Sequence, residues 1–440
     1  MKFRTIIIAF AIFFGGTIGS AQNVYDLEKC IATGMENNYS IILSRNREEI
    51  NENNFTRGNA GFLPSLDFSS RYGGTVTSTE QRLTDGTENT TKGIHNTSAT
   101  AGVGLDWTIF RGFSVQTTYK KLGEIQAIGE LNTQLTIENL IGRIAYEYAY
   151  LVQQKRLYKN LQFAVSLSKE RVRIDEEKYL IGAGSKLQLL QSKVYFNADS
   201  SRLARQNEVL RSSEIRLNEL MAVDDLGQTI IISDTTLLVD PGLQFDLLLP
   251  ETLESNTALM IARRGQTISQ YDYKIISARS YPYLTLSSGY NTTLNMYEMG
   301  SSTSDLRNGL NYGVTLGVNI FDGYNQRRDR RNAIVEINNS DIEYLQIAQE
   351  VKADLLTIYS GYAHNLRLLR LEEENLATAS ENLEIAFERY KLGNLSGLEL
   401  REVQKSLLDA EERVLLVQFQ IKSAEISLLQ ISGHILDYIN

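Results

Sequence analysis

Tyr179-Leu180-Ile181-Gly182-Ala183-Gly184-Ser185 returns 211 residues later as Tyr390-Lys391-Leu392-Gly393-Asn394-Leu395-Ser396. Ile109-Phe110-Arg111-Gly112-Phe113 returns at the same offset as Ile320-Phe321-Asp322-Gly323-Tyr324. Pro64-Ser65-Leu66 matches Pro282-Tyr283-Leu284 at an offset of 218, so only the loop between these markers has changed length. Each half has one order: short helix, strand, polar loop, strand, long helix, Gly-containing turn, second helix. Solenoid repeats run to about 20–50 residues. A period this long is instead a duplicated supersecondary unit.

Working outward from the two turns, the flanking segments read as helices of unusual length. The chain of 440 residues has four prolines, Pro64, Pro241, Pro250 and Pro282, which leaves 65–240 and 283–440 without one. An interior proline costs a helix about 3 kcal/mol. The expected helices are 113–179 and 185–221 in the first repeat, and 323–391 and 397–433 in the second. At 1.5 Å per residue the longer ones approach ~100 Å. Val403, Leu407, Ala410, Val414, Val417, Ile421, Ala424, Leu428 and Ile431 keep the 3-4 spacing of a coiled-coil seam. Leu189, Phe196, Leu203, Leu210 and Leu217 echo it, as do Leu151, Tyr158, Val165, Val172 and Tyr179, and Leu369, Leu376, Leu383 and Tyr390.

Four segments alternate with period 2, expected as strands near 65–77, 98–110, 282–292 and 311–321. In the second, Ala101, Val103, Leu105, Trp107 and Ile109 oppose Thr100, Gly102, Gly104, Asp106 and Thr108. Such strands fit a membrane barrel with a polar lumen, and equally a half-buried sandwich. Four strands cannot close a barrel, and an open edge in lipid leaves backbone groups unpaired at several kcal/mol each. In a membrane, therefore, several chains share one barrel, and three chains supply twelve strands.

Composition removes other classes. One cysteine, Cys30, excludes an internal disulfide framework and a Cys-rich zinc site. Acidic residues outnumber basic ones, 53 to 44, which argues against a nucleic-acid binder. His95, His364 and His434 are far apart, and no nucleophile-elbow, phosphate-loop or dinucleotide motif is found. No enzyme and no cofactor is expected. Residues 1–21 read as a signal peptide: Lys2 and Arg4, then an apolar run, then Gly19 and Ala21 ahead of the cut. No later run suggests a transmembrane helix. The organisation reads as 1–21 signal peptide, 22–221 first repeat, 222–260 equatorial linker, 261–435 second repeat and 436–440 short tail.

The phrases Tyr25-Asp26-Leu27-Glu28-Lys29-Cys30-Ile31-Ala32, Glu36-Asn37-Asn38, Phe62-Leu63-Pro64-Ser65-Leu66 and Ile320-Phe321-Asp322-Gly323, with the Tyr-x-x-Gly…Ser-x-Leu turns, resemble TolC-type outer-membrane factors. The resemblance covers nearly all of 22–435 and keeps both halves in order. It implies a mixed α+β membrane protein: four transmembrane strands per chain in a shared 12-strand trimeric barrel, continued by a long α-helical coiled-coil barrel in the periplasm. It also implies an exit duct for efflux or type I secretion, working with a periplasmic adaptor and an inner-membrane transporter. A soluble periplasmic coiled-coil scaffold is the alternative.

The resemblance further implies a gate at the hairpin tips. Matching along Tyr390-x-x-Gly393, the acidic ring falls on Glu399 and Glu402, favouring cations. Equally, both are carboxylates suited to a helix N-terminus. The first repeat has uncharged Gln188 and Gln191 at the matching positions. Tyr390, Gln188 and Gln191 are the candidates for the bonds that hold the gate closed. Gln188 stands where the family has an aspartate and Leu395 where it has an arginine, so a differently secured aperture is expected. Tyr179, Gly182, Ser185, Gly393, Ser396 and Leu398 are assigned to turn formation and adaptor docking, with core packing the other reading of Ser396 and Leu398.

Overall fold

The computed structural model describes residues 24–438, so the signal-peptide reading lies outside the described residues. A short strand β1 (Val24–Tyr25) leads into helices α1 (Leu27–Asn37) and α2 (Tyr39–Asn54), strands β2 (Ser65–Arg82) and β3 (Glu88–Arg111), and the hairpin α3 (Ser114–Leu180) and α4 (Lys186–Met221). The linker holds β4 (Ile231–Ile232) and α5 (Phe245–Ser255), and the second repeat follows as α6 (Thr257–Ala278), β5 (Tyr283–Tyr297), β6 (Ser304–Gly317), α7 (Asn325–Lys391) and α8 (Gly397–Ile431). Helices α3 and α7 have 67 residues each, ~100 Å of helix.

The sheet runs in chain order. The sheet is antiparallel in the order β2-β3-β5-β6. Below it, α3 is flanked by α2 and α4 on one side and by α6 and α8 on the other, and α7 lies beyond α6 and α8. The layer is thus four helices wide, with α2 and α4 on one edge and α7 on the other. The edge strands are β2 and β6.

The strand-to-helix corner is built the same way twice. Gly112 and Phe113 have φ of 57° and 64°, and Gly323 and Tyr324 have 71° and 65°. A positive φ is costly for a ring-bearing residue. Edge-to-face ring pairs hold both corners, Phe110 on Phe113 at 5.2 Å and Phe321 on Tyr324 at 5.4 Å. Gly112 has no room for a side chain, since a Cβ there would lie 2.4 Å from the Ala278 carbonyl oxygen.

The strands differ from expectation at their ends. β2 and β3 continue to a short turn at 83–87, so most of the polar stretch 77–98 is strand. It is rich in Thr, which suits a pleated surface, and both its faces are polar, so alternation fails to mark it. β6 stops at Gly317 rather than near 321, because Gly317 already pairs with Tyr283, the first residue of β5. Paired rows such as Phe68–Val103–Tyr290–Leu310 put the apolar residues of all four strands on one face. That face is bare: Phe68 is 73%, Tyr312 81% and Leu316 73% exposed. The sandwich alternative needs a second layer there, and none covers it among the described residues.

In the helices, the α8 stripe falls as its spacing predicts: Leu407, Ala410, Val414, Val417, Ile421 and Leu428 are buried. Leu355, Tyr362, Leu369 and Leu383 of α7 are buried beside it. A second α8 face, with Leu408, Leu415, Phe419 and Ile426, is also buried, because α3 lies on that side. By length and composition α8 alone among the described helices passes for a membrane-crossing segment. Its apolar stripes instead serve α7 and α3.

The stripes expected on α3 and α4 hold at Leu151, Leu189 and Leu217, which are buried, and are displaced between them. Val165 and Val172 are only half-buried and Tyr179 is exposed, while Leu161, Ala164, Ser168, Arg171 and Asp175 are buried. On α4 the buried heptad is Ser192, Asp199, Gln206 and Ser213. These seams are polar, and a search for apolar residues passes over them.

Segment 222–260 holds β4 and α5, with Pro250 inside α5. β1 pairs in parallel with β4, and Cys30, Ile31, Ile230 and Ile435 share one core with Leu140, Ile144, Leu151 and Leu217. Residues 435–438 form a 3-10 turn on this core, and burial pushes the Cys30 thiol up to about 12.

Candidate functional site: the ends of the helical hairpins

The two turns that opened the sequence lie at the ends of the hairpins, and both are closed by the same device. Ser185 Oγ accepts from Gln188 N at 3.2 Å while the Gln188 side chain accepts from Ser185 N at 3.0 Å. Ser396 Oγ accepts from Glu399 N at 3.2 Å, and Glu399 Oε2 accepts from Ser396 N at 2.9 Å. Each is a reciprocal capping box. Gly182 and Gly393 take φ of 79° and 78° just beyond α3 and α7, where a Cβ would be strained.

Glu399 therefore has a defined local task. Hydrogen bonds from Ser396 hold its carboxyl below the usual carboxylate range. Its side chain remains on the surface, as does that of Glu402 one helical turn on. The structure puts Gln188 in its own cap and leaves Gln191 exposed, while Tyr390 bonds elsewhere. Leu180, Ile181, Leu392 and Leu398 are all well exposed around the turns. Tyr179 is exposed beside them.

Tyr390 is buried, and its hydroxyl donates to Asp175 Oδ1 of α3. Burial first, and the Asp175 carboxylate second, push that hydroxyl well above the ordinary tyrosine range. Lys178 Nζ donates to the Tyr390 carbonyl at 2.9 Å and sits 4.6 Å over its ring. Arg171, 3% exposed, lies 3.9 Å from Asp175 and has the Tyr195 ring at 5.1 Å and the Tyr390 ring at 5.8 Å. Its Nε and Nη1 donate no hydrogen bond. Gly397 makes room for it: a Cβ there would fall 2.6 Å from Arg171 Nη2.

A second tie lies one turn further in. Arg401 of α8 grips Asp199 of α4 with both nitrogens, at 2.7 and 2.9 Å, and Ser168 also donates to Asp199. The Tyr195 ring is sandwiched, with Arg401 5.0 Å from its centre on top of the Arg171 contact. Two clasps thus join the first hairpin to the second, Asp175–Tyr390 and Asp199–Arg401. Of their residues the sequence reading singled out only Tyr390. A signal for Asp199 was available in the seven-residue spacing Ser192, Asp199, Gln206, Ser213, a heptad seam written in polar residues.

With this geometry established, comparison with known proteins is informative. Residues 248–434 match the family described as Outer membrane efflux protein. No curated protein sequence matches the chain. Among solved structures, the outer membrane protein VceC of Vibrio cholerae is 16% identical, covers 92% of this chain and 96% of its own, and has a TM-score of 0.74. The CmeC outer membrane channel of Campylobacter jejuni is 15% identical, covers 99% and 94%, and scores 0.76. The MtrE outer membrane channel of Neisseria gonorrhoeae, in its open state, is 17% identical, covers 93% and 89%, and scores 0.69. These likenesses concern the fold, and span both repeats. They bear out the resemblance to TolC-type outer-membrane factors, with the efflux-protein match covering α6, the second sheet half and the α7–α8 hairpin.

Proposed function

We propose that the chain is one third of an outer-membrane channel, the exit duct of a tripartite efflux or type I secretion system, closed and opened at the hairpin ends. The observation that carries this reading is that sheet and helical layer are open at the same two edges. β2 and β6 have bare backbone edges, and α7 and α4 line the edges below them with exposed apolar residues: Leu356, Leu371 and Ile385 on α7, Leu187, Leu190 and Val194 on α4. One copy's α7 edge against the next copy's α4 edge closes the helical layer, as β6 against β2 closes the sheet. Three copies give twelve strands, enough for a barrel with an open lumen. The bare apolar face then meets outer-membrane lipid, and the Thr-, Asn- and Gly-rich face lines water.

In that ring Glu399 and Glu402 stand at the periplasmic mouth, and the exposed Tyr179, Leu180, Ile181 and Leu398 offer an apolar rim to an adaptor that links the duct to an inner-membrane transporter. Gly182, Ser185, Gly393 and Ser396 shape that rim through the turns and caps. The clasps Asp175–Tyr390 and Asp199–Arg401 hold each chain's two hairpins together and so secure the closed mouth. The soluble-scaffold alternative leaves the sheet's apolar face in water.

The test is extraction and crosslinking. The full chain is expected in outer-membrane detergent extracts as a heat-modifiable trimer, with a cysteine pair at Leu190 and Ile385 forming crosslinks between chains. A mature chain recovered entirely in the soluble fraction would refute the channel.

A further inference from the structure

The residues of α3 divide by face at the level of the equatorial core. Ile141, Ile144, Ala145, Tyr148 and Val152 point into that core. Arg143, Tyr146, Glu147 and Tyr150 lie on the other side, between α4 and α8, where they line two adjoining hollows of about 500 and 610 Å³. The hollows share Tyr146, Glu147 and Arg216, so they form one groove. Resting on the duct reading, this face turns toward the lumen, because the equatorial core adds thickness to the opposite face and a central position would block the bore.

The groove has three chemical features. Phe419 of α8 meets Tyr146 at 5.2 Å and Tyr150 at 5.6 Å, both edge-on, which holds two tyrosine rings at a fixed separation on the wall. Glu147 Oε2 is buried and has no hydrogen-bond partner. The charges of Arg216 and Arg143 both act on the same carboxyl, without donating to that oxygen. An acceptor left without a donor away from water is costly, and the cost is relieved by a ligand that donates to it. Burial raises the Glu147 carboxyl above the ordinary range, and the two arginines oppose that shift.

We propose that this groove binds a zwitterionic aromatic amine, with the ammonium on Glu147 Oε2, the rings on Tyr146 and Tyr150, and the ligand's anionic group on Arg143 or Arg216. Charges of both signs beside an aromatic wall match such a molecule and match neither a simple cation nor a simple anion. A concave site of this volume suits a drug-sized ligand, and stacking and charge-assisted hydrogen bonds give it orientation. Three copies of the groove around the bore make the duct wall a resting place for cargo of this class.

Norfloxacin, a fluorescent quinolone with a basic amine and a carboxylate, is the probe, and nalidixic acid, which lacks the basic amine, is the comparison. Fluorescence anisotropy with the detergent-purified full chain is expected to show saturable binding, one equivalent per chain. Glu147→Gln and, separately, the surface change Tyr146→Ala should each weaken it about tenfold, the scale of one charge-assisted contact. Nalidixic acid should displace the probe with an affinity about tenfold below that of norfloxacin itself. Non-saturable binding, affinity unchanged in both variants, or equal competition by nalidixic acid overturns the proposal. Binding is read without conductance: a chain that forms channels and does not bind refutes the groove alone, and a chain that binds without forming channels refutes the duct alone.

Discussion

Removing one oxygen tests the gate. In Tyr390→Phe the ring stays and keeps its place beside Leu400 and Leu407 in the tip core, so packing is preserved. What is lost is the hydrogen bond to Asp175 Oδ1. Asp175 is buried, its Oδ2 has no hydrogen bond, and Arg171 at 3.9 Å is then its nearest ionic partner. A hydrogen bond to a charged group contributes about 1.5–3 kcal/mol. If the mouth opens by parting the two hairpins, that amount is removed from the closed state alone. One chain's loss moves the closed-to-open ratio about 10- to 100-fold, and three chains opening together multiply it. Planar-bilayer recordings of the purified trimer are the assay, with Asp175→Asn and the double variant completing a cycle. Tyr390→Phe should raise mean conductance and open probability, and the double variant should add little to either single one. Wild-type conductance in an intact Tyr390→Phe trimer, or strictly additive effects in the cycle, would show that this contact does not secure the gate.

Arg401→Ala leaves Asp199 buried with Ser168 as its remaining donor, so a loss of about 3–5 kcal/mol is expected in thermal or denaturant unfolding, with Arg401→Lys intermediate because one ammonium cannot grip both oxygens. Gly112→Ala places a Cβ 2.4 Å from a backbone oxygen at positive φ, whereas Gly182→Ala at φ 79° meets nothing within 4 Å; recovery of folded trimer should fall sharply for the first, and by about 1 kcal/mol of stability for the second. Glu399→Gln with Glu402→Gln should lower cation selectivity in bilayers while keeping the cap, since glutamine also serves in a capping box; unchanged selectivity assigns both residues to the helix end alone. The Glu399 carboxyl is held below its ordinary value of 4.5 by Ser396, so its contribution to the cap is complete above that pH and is lost as pH falls through the lower folded value. Cation selectivity followed from pH 7 downward should persist below 4.5, and an earlier collapse contradicts that assignment.

How much of this was legible depended on whether a residue's role left a hydrophobic trace. The α8 stripe from Val403 to Ile431 did, because it is apolar and seven-periodic against α7. The α3 and α4 seams did not, because Ser168 and Asp199, and Arg171 and Asp175, are buried by pairing with one another, and a polar residue in sequence carries no sign of its partner. The outer ends of β2 and β3 were missed for a related reason: both of their faces are polar, so period 2 disappears while the strand continues. Tyr390 was legible as a position, through its place in a repeated turn. Its partner was not, since Asp175 lies 215 residues away on another helix and no motif spans that distance.

The repeats have also diverged in a way that assigns different work to the two hairpins. Both turns keep the glycine at positive φ and the serine of the capping box, so the local architecture is common to Ser185 and Ser396. The N3 partner differs: Gln188 caps without charge, and Glu399 caps with one. The capping geometry is therefore satisfied either way and does not require the carboxylate. Where a neutral residue suffices for the helix end in one repeat, the charge in the other has room for a second role. Glu402 strengthens the case, because it lies beyond the cap and still carries a charge where Gln191 does not. In the proposed ring of three chains the acidic hairpin would alternate with the neutral one, and the mouth would carry three separated pairs of carboxylates. Within each chain Ser396 holds the Glu399 carboxyl below its ordinary range through the cap itself, so the charge and the helix end are served by one residue.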